Sequence, residues 1–254
     1  MDELEVSEAG RDSRKGPWGP LATAAFTVLI AAAFMVVQTA LAIAYLVVKV
    51  VGSPKTDINI AARALQADGL FIGLAEVIGG SLVLGVTILI AWLRKGPTLR
   101  EYLALRPVAR LTMLRWLFCT ILLGALLDGL SYLSGHAVVP DWMVGVYRSA
   151  GFLPVLLFAL LVVAPVLEEV VFRGFLFEGL RHSRIGDSGA IVLASLAWAS
   201  VHLQYELFYI GQVFIFGLLL GAARLRTRSL VPPILMHALS SGIATLEVAF
   251  QSWN

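Results

Sequence analysis

The chain has 254 residues, of which 59% are hydrophobic and 14% are charged, with a formal net charge of +2. Soluble domains use about 45–50% apolar and about 25% charged residues, so this composition excludes an ordinary soluble domain and indicates an integral membrane protein. The basic residues are scattered over predicted loops, which excludes a nucleic-acid-binding surface. The single cysteine, Cys119, excludes an internal disulfide and a cysteine-based metal site.

The chain begins with acidic residues, whereas a secretory signal peptide begins with basic ones. We therefore predict a disordered cytosolic tail over residues 1–19 and one membrane domain over residues 20–254. Seven apolar stretches are long enough to cross a bilayer: 21–48, 70–93, 111–133, 151–180, 188–204, 207–223 and 230–250. Pro165 predicts a kink or a break in the fourth stretch, where an eighth, half-length segment could form. The predicted fold is all-α, a polytopic membrane helix bundle of about seven to eight transmembrane helices.

The distribution of Lys and Arg predicts the orientation, because short cytoplasmic loops collect basic residues. With seven spans, four basic groups fall on one side of the membrane: before the first span and after the second, fourth and sixth. The opposite side receives only Lys49, Lys55, Arg63 and Arg148. The sequence therefore predicts that the N terminus is inside and the C terminus outside.

The fourth span contains two carboxylates and a guanidinium, in the sequence Ala-Pro-Val-Leu-Glu-Glu-Val-Val-Phe-Arg at 164–173. A charge at the bilayer centre costs at least about 2.5–3.5 kcal/mol on insertion scales, so these side chains need compensation or a function. Residues four apart share a helix face, so Glu169 is placed to pair with Arg173. Glu168 is rotated by about 100° and stays free for general-base chemistry.

Two histidines, His202 and His237, also lie in apolar spans. At about 1.5 Å per residue, both reach a depth similar to that of Glu168 when measured from the basic ends of their helices. A histidine on an apolar helix is usually a structural residue when it stands alone. Together, however, the three side chains predict a site that activates water. Either Glu168 is the base and the histidines stabilise an oxyanion, or all three bind a metal.

Three other side chains in the apolar spans receive structural interpretations. Glu76 and Asp128 are interpreted as partners in interhelical hydrogen bonds. Trp198 stands four residues before His202 and is interpreted as a packing neighbour on the same face.

Three motifs in this order resemble those of the CAAX-protease and bacteriocin-processing (CPBP, or Abi) family of intramembrane proteases. The family pattern is Glu-Glu-x-x-x-Arg, then aromatic-x-x-x-His, then His-x-x-x-Asn or a small polar residue. The matching residues in this chain are Glu168, Glu169 and Arg173, then Trp198 and His202, then His237 and Ser241. Trp replaces the commoner Phe and Ser replaces the usual Asn. The resemblance covers about residues 150–245, which predicts the catalytic core there.

The resemblance implies an intramembrane endopeptidase that hydrolyses a membrane-associated or C-terminal peptide, in a bacterial inner membrane. Glu168 would be the general base that activates water, and His202 and His237 would hold the water or stabilise the oxyanion. Glu169 and Arg173 would orient the helix and polarise the site.

The resemblance leaves the metal and the third motif open. Zn²⁺ or another divalent ion bound by Glu168, His202 and His237 is one mechanism, and a metal-free glutamate mechanism is equally compatible. The chain lacks the His-Glu-x-x-His helix that would favour zinc. Ser241 lies four residues after His237, so its hydroxyl could donate a hydrogen bond in place of the Asn amide.

Two other functions are also compatible with the sequence. One is a non-catalytic immunity or scaffold protein of the same fold that binds a membrane peptide. The other is a proton-coupled transporter, suggested by Glu76, Asp128 and Glu168 in apolar spans. The absence of an evident internal repeat counts against a transporter.

Overall fold

The computed structural model describes residues 17–53 and 57–253. Within these ranges the chain forms helices and no strand, which confirms the predicted all-α membrane bundle. Most of the predicted tail, residues 1–16, lies outside the described residues, as do Lys55 and the last residue.

We number the helices of the described chain α1 to α10. Their bounds are α1 Pro20–Gly52, α2 Ile58–Ala64, α3 Gly69–Leu93, α4 Leu99–Tyr102, α5 Arg110–Leu133, α6 Asp141–Arg148, α7 Leu153–Arg181, α8 Gly186–Ser200, α9 Leu207–Thr227 and α10 Val231–Trp253. Helices α3 and α7 are continuous but contain π-helical turns. Six helices of the described chain, α1, α3, α5, α7, α9 and α10, are long and apolar enough to cross a membrane.

The predicted span at 188–204 corresponds to α8, which has only 15 residues. At about 1.5 Å per residue it measures about 22 Å, less than the roughly 30 Å of a hydrocarbon core. Helix α8 still connects the two ends of the bundle. Arg181 bonds Asp187 at its first turn (2.9 Å), and Trp142 contacts Tyr205 edge-on just beyond its last turn. The predicted span at 188–204 is therefore not among the six described helices that are long enough to cross a membrane.

Polar contacts close the bundle at both ends. At one end, Arg224 of α9 pairs with Glu178 of α7 at 2.7 Å, and Ser229 donates to the Arg106 carbonyl at 2.6 Å. At the other end, Trp142 of α6 donates its indole N–H to the Gln66 carbonyl at 2.7 Å. The first end carries many of the basic residues assigned to the cytosolic side, and its orientation in the cell stays a prediction.

Helix α7 runs through Pro165 without a break, so the eighth segment expected there does not form. A π-helical turn over Ala159–Val163 precedes the proline. Proline lacks an N–H and its ring collides with the carbonyl one turn earlier, and the wider turn accommodates both defects within a continuous helix. The sequence after Pro165 therefore stays in the bundle interior.

The centre of α7 is the core of the bundle. Every residue from Val170 to Leu176 is buried, whereas only Thr23 and Ile30 of the long helix α1 are buried. A β-carbon on Gly174 would lie 3.2 Å from Leu103 and Leu230, so the glycine permits close packing there. The motif Glu-Glu-x-x-x-Arg thus stands on the most enclosed helix of the protein.

Candidate active site

A buried ion pair joins Glu169 and Arg173, as their spacing predicts. The Arg173 Nη1 atom donates to Glu169 Oε1 at 2.9 Å, and the two residues are 1% and 0% exposed. Arg173 Nη2 also donates to the Gly217 carbonyl of α9 at 3.3 Å. A β-carbon on Gly217 would lie 3.1 Å from that nitrogen, so the glycine leaves room for the guanidinium. The pair therefore connects α7 to α9.

The ion pair is incompletely hydrogen-bonded. Arg173 Nε and Glu169 Oε2 are buried and have no partner among the described residues. The guanidinium carbon lies 4.4 Å from the centre of the Trp198 ring, a cation–π contact that favours the positive charge. Buried charges need such compensation because removal from water is strongly unfavourable.

His237 of α10 links the two glutamates. Its Nδ1 lies 3.0 Å from Glu169 Oε1, and its Nε2 lies 3.9 Å from Glu168 Oε2. A carboxylate only accepts hydrogen bonds, so we assign the Nδ1 proton to the bond with Glu169. The Glu169 carboxylate thus orients the ring and directs Nε2 toward Glu168.

Trp198 of α8 is a partner of Glu168 and more than a packing neighbour. Its indole N–H donates to Glu168 Oε2, and the residue is only 2% exposed. The rings of His202 and His237 contact it edge-on, with centroids 5.2 and 5.3 Å away. The interpretation of Trp198 as packing alone is therefore incomplete. A buried indole N–H usually has an acceptor, so the sequence could have suggested a polar partner for Trp198 without identifying it.

His202 lies in the turn just after α8, not within a long apolar helix as the span 188–204 implied. Its Nδ1 is 2.9 Å from the Trp198 carbonyl, which only accepts, so we assign the Nδ1 proton to that bond. The His202 ring stacks on Tyr205 at a centroid distance of 6.0 Å and an angle of 15°. Nε2 is the nitrogen left for a bound molecule.

Four polar side chains from the three motifs lie outside the ion pair, and all four line one cavity of about 420 Å³. They are Glu168, His202, His237 and Ser241. The cavity extends between α3, α5, α7 and α10, and Tyr205 and Tyr209 also line it. Ion pairing thus separates Glu169 and Arg173 from the cavity, while Glu168 faces it.

Glu76 and Asp128 line the same cavity. Glu76 Oε1 is buried and has no hydrogen-bond partner in the described part of the chain. The prediction of an interhelical hydrogen bond is therefore wrong for this atom. A π-helical turn begins at Glu76, and the side chain packs back against Gly80.

The phenol of Tyr205 is a weaker acid than a free tyrosine side chain. Burial, with the negative charge of Glu168 as a second cause, raises the pKa of Tyr205 to about 12. The phenol therefore keeps its hydrogen at neutral pH. Gln204 also lines the cavity. Neither Tyr205 nor Gln204 belongs to one of the three motifs, so no pattern in the sequence identified them.

The predicted metal ligands are Glu168, His202 and His237. Within residues 17–53 and 57–253, no group of three His, Cys, Asp or Glu side chains is arranged to hold a metal ion. The Nδ1 atoms of His202 and His237 and one oxygen of Glu168 are also bonded to protein groups. We therefore derive no step through a metal, and the metal-binding role of these residues stays a prediction.

Comparisons with known proteins agree with the motifs. Residues 150–243 match the family model described as type II CAAX prenyl endopeptidase Rce1-like. The chain is 32% identical over 107 residues to the membrane-embedded CAAX protease MroQ of Staphylococcus aureus (strain USA300). Over this region the chain is similar to CAAX proteases of the type II, Rce1-like family.

The chain is also 32% identical over 84 residues to an uncharacterized 24.3 kDa protein of Escherichia coli. The alignments cover 32% of this chain for the Escherichia coli protein and 40% for MroQ. They span only 38% and 41% of those relatives. No solved structure matches the chain.

Removing Arg173 should destabilise the protein strongly. We expect Arg173→Ala to lower the free energy of unfolding by about 3–5 kcal/mol, because Glu169 is left buried without its cation. The double variant Glu169→Gln/Arg173→Met removes both charges and should lose less free energy of unfolding than Arg173→Ala. Denaturant unfolding in detergent micelles measures both, with Arg226→Ala on the exposed face of α9 as the control. A double variant less stable than Arg173→Ala would contradict this account.

Proposed function

We propose that this protein is an intramembrane endopeptidase in which Glu168 activates the attacking water. The observation that carries the proposal is the different placement of the two adjacent glutamates. Glu169 is bonded to Arg173 and His237, whereas Glu168 lines the cavity with its Oε2 3.9 Å from His237 Nε2. A carboxylate in this position suits general-base catalysis.

The proposed reaction follows from these positions. Glu168 takes a proton from water as the water oxygen bonds to the carbonyl carbon of the scissile peptide. The π-electron pair of that carbonyl moves to its oxygen and forms an oxyanion. When the oxyanion collapses, the C–N bond breaks and the proton returns from Glu168 to the leaving nitrogen. The Nε2 atoms of His202 and His237 orient the water or, when protonated, donate to the oxyanion.

Other residues support this reaction without taking part in bond changes. Glu169 and Arg173 hold His237 and compensate each other's charge. Ser241 lines the cavity and supplies a hydroxyl in the third motif. We propose that the substrate is a membrane-associated peptide or the C-terminal region of a membrane protein. A bacterial inner membrane is the proposed location, in keeping with the bacterial origin of both matched relatives.

The additional carboxylates favour one alternative, a proton-coupled transporter. Glu76, Asp128 and Glu247 line the cavity together with Glu168. In that case purified protein in vesicles would carry a solute at a rate that depends on the proton gradient, without peptide cleavage. Under the protease proposal, cleavage proceeds without such a gradient. A non-catalytic immunity or scaffold role would leave Glu168→Gln fully functional.

Glu168→Gln tests the proposed function. We expect a decrease of about 10²–10⁴-fold in kcat, because glutamine cannot accept the water proton. The assay uses protein reconstituted in phospholipid vesicles and a library of internally quenched peptides with apolar membrane anchors. The matched control is Glu206→Gln, an exposed glutamate outside the cavity lining. A parallel assay with a metal chelator distinguishes a metal-dependent from a metal-free reaction. Cleavage by Glu168→Gln at the wild-type rate would contradict the proposal.

Trp198→Phe should lower kcat and leave KM nearly unchanged. Phenylalanine keeps an aromatic ring but removes the N–H that holds Glu168, and hydrogen bonds to charged groups contribute about 1.5–3 kcal/mol. We therefore expect a loss of about 10–100-fold in kcat in the same assay. Trp18→Phe is the matched control, because Trp18 lies outside the cavity lining and donates its indole N–H to the Ile90 carbonyl. Equal rates for the two variants would show that the Trp198 bond does not orient Glu168.

A further inference from the structure

Tyr205 makes three aromatic contacts at the cavity, with His202, Trp142 and Tyr209. It stands in the connection between α8 and α9, three residues after His202. Its ring is nearly parallel to the His202 imidazole, with centroids 6.0 Å apart and an angle of 15°. The Trp142 ring meets it edge-on at 5.6 Å. These ring contacts give the Tyr205 hydroxyl group a defined position at the cavity.

The Tyr205 hydroxyl has a hydrogen available for a bound molecule. The Gln204 side chain and the Glu168 carboxylate are both close enough to interact with it. No acceptor for the Tyr205 O–H hydrogen is found among the described residues. Tyr209, on the next turn of chain, differs in this respect because its hydroxyl donates to the Ala137 carbonyl at 2.8 Å.

The reaction proposed above requires such a donor. A tetrahedral oxyanion needs preorganised hydrogen-bond donors at the position where its charge develops. The Nδ1 protons of His202 and His237 are bonded to Trp198 and Glu169 and cannot serve. Ser241 carries one short hydroxyl where the family pattern usually has an Asn amide with two N–H donors. A phenol in the same cavity can supply a donor that does not depend on the protonation of a histidine Nε2 atom.

We propose that Tyr205 is a catalytic residue that donates a hydrogen bond to the oxyanion of the tetrahedral intermediate. The proposal rests on the proposed function, since it requires peptide hydrolysis by Glu168-activated water. The phenol does not lose its proton at any step. Its O–H bond points to the substrate oxygen while that oxygen carries the electron pair from the carbonyl bond. The hydrogen bond weakens again when the pair returns and the C–N bond breaks.

Tyr205→Phe tests this role with Tyr209→Phe as the matched control. Both variants remove one hydroxyl from the lining of the same cavity. Loss of one oxyanion donor costs about 10²–10³-fold in kcat. We therefore expect about a 10²-fold lower kcat for Tyr205→Phe, with KM near the wild-type value, and no such loss for Tyr209→Phe. The assay is peptide cleavage in phospholipid vesicles by the full chain, with the quenched peptide that wild type cleaves fastest.

A second measurement separates a catalytic role from a structural one. A phosphonamidate analogue of the cleaved peptide carries an anionic tetrahedral phosphorus group, which mimics the intermediate. Tyr205→Phe should weaken inhibition by this analogue about as much as it lowers kcat. If Tyr205→Phe does not fold, 3-fluorotyrosine at position 205 keeps the ring and the O–H and makes the phenol a stronger donor. That protein should then cleave at least as fast as wild type.

The outcomes distinguish the two proposals. If Glu168→Gln is inactive and Tyr205→Phe cleaves as fast as Tyr209→Phe, the Tyr205 role is wrong and the proposed function stands. If fluorotyrosine slows cleavage, the Tyr205 role is also wrong. If wild type cleaves no peptide in the library, or if Glu168→Gln cleaves normally, the proposed function fails and the Tyr205 role fails with it.

Discussion

The buried ion pair between Glu169 and Arg173 is the interaction on which the arrangement of the site depends. Arg173 donates to the Gly217 carbonyl of α9 and lies against the Trp198 ring of α8, while Glu169 accepts from His237 of α10. A single compensated pair on α7 therefore fixes three neighbouring helices. Because an unpaired charge in this interior is strongly unfavourable, the four helices share one arrangement in which the two charges are paired.

The same pair explains why two adjacent glutamates differ in environment. The helix turns by about 100° per residue, so Glu168 does not share the bond of Glu169 to Arg173, although His237 lies near both carboxylates. Glu168 instead faces the cavity, where Trp198 bonds one oxygen and His237 Nε2 stands opposite. The polar groups that surround it come from α8, the following turn and α10. A site assembled from three helices resembles other membrane sites, where ionisable groups face the bundle interior.

Local spacing and hydropathy predicted much of this arrangement. Four-residue spacing gave the Glu169–Arg173 pair, and apolar length gave the six long helices. The predictions were wrong or incomplete where the packing of helices against each other determines the structure. Helix α8 ends at Ser200 although the apolar pattern continues beyond it, and the π-helical turn before Pro165 keeps α7 continuous. The Trp198 bond to Glu168 depends on how α7 and α8 cross, and no pattern within either segment encodes that crossing.

The central claim is that Glu168 performs chemistry and Glu169 holds the structure. The most direct test of this claim compares Glu168→Gln with Glu169→Gln, which make the same substitution at adjacent residues. Both variants are measured in denaturant unfolding and in peptide cleavage. The account predicts that Glu168→Gln unfolds at nearly the wild-type denaturant concentration but does not cleave, whereas Glu169→Gln unfolds at a clearly lower concentration. A stable Glu169→Gln together with a destabilised, cleaving Glu168→Gln would contradict it.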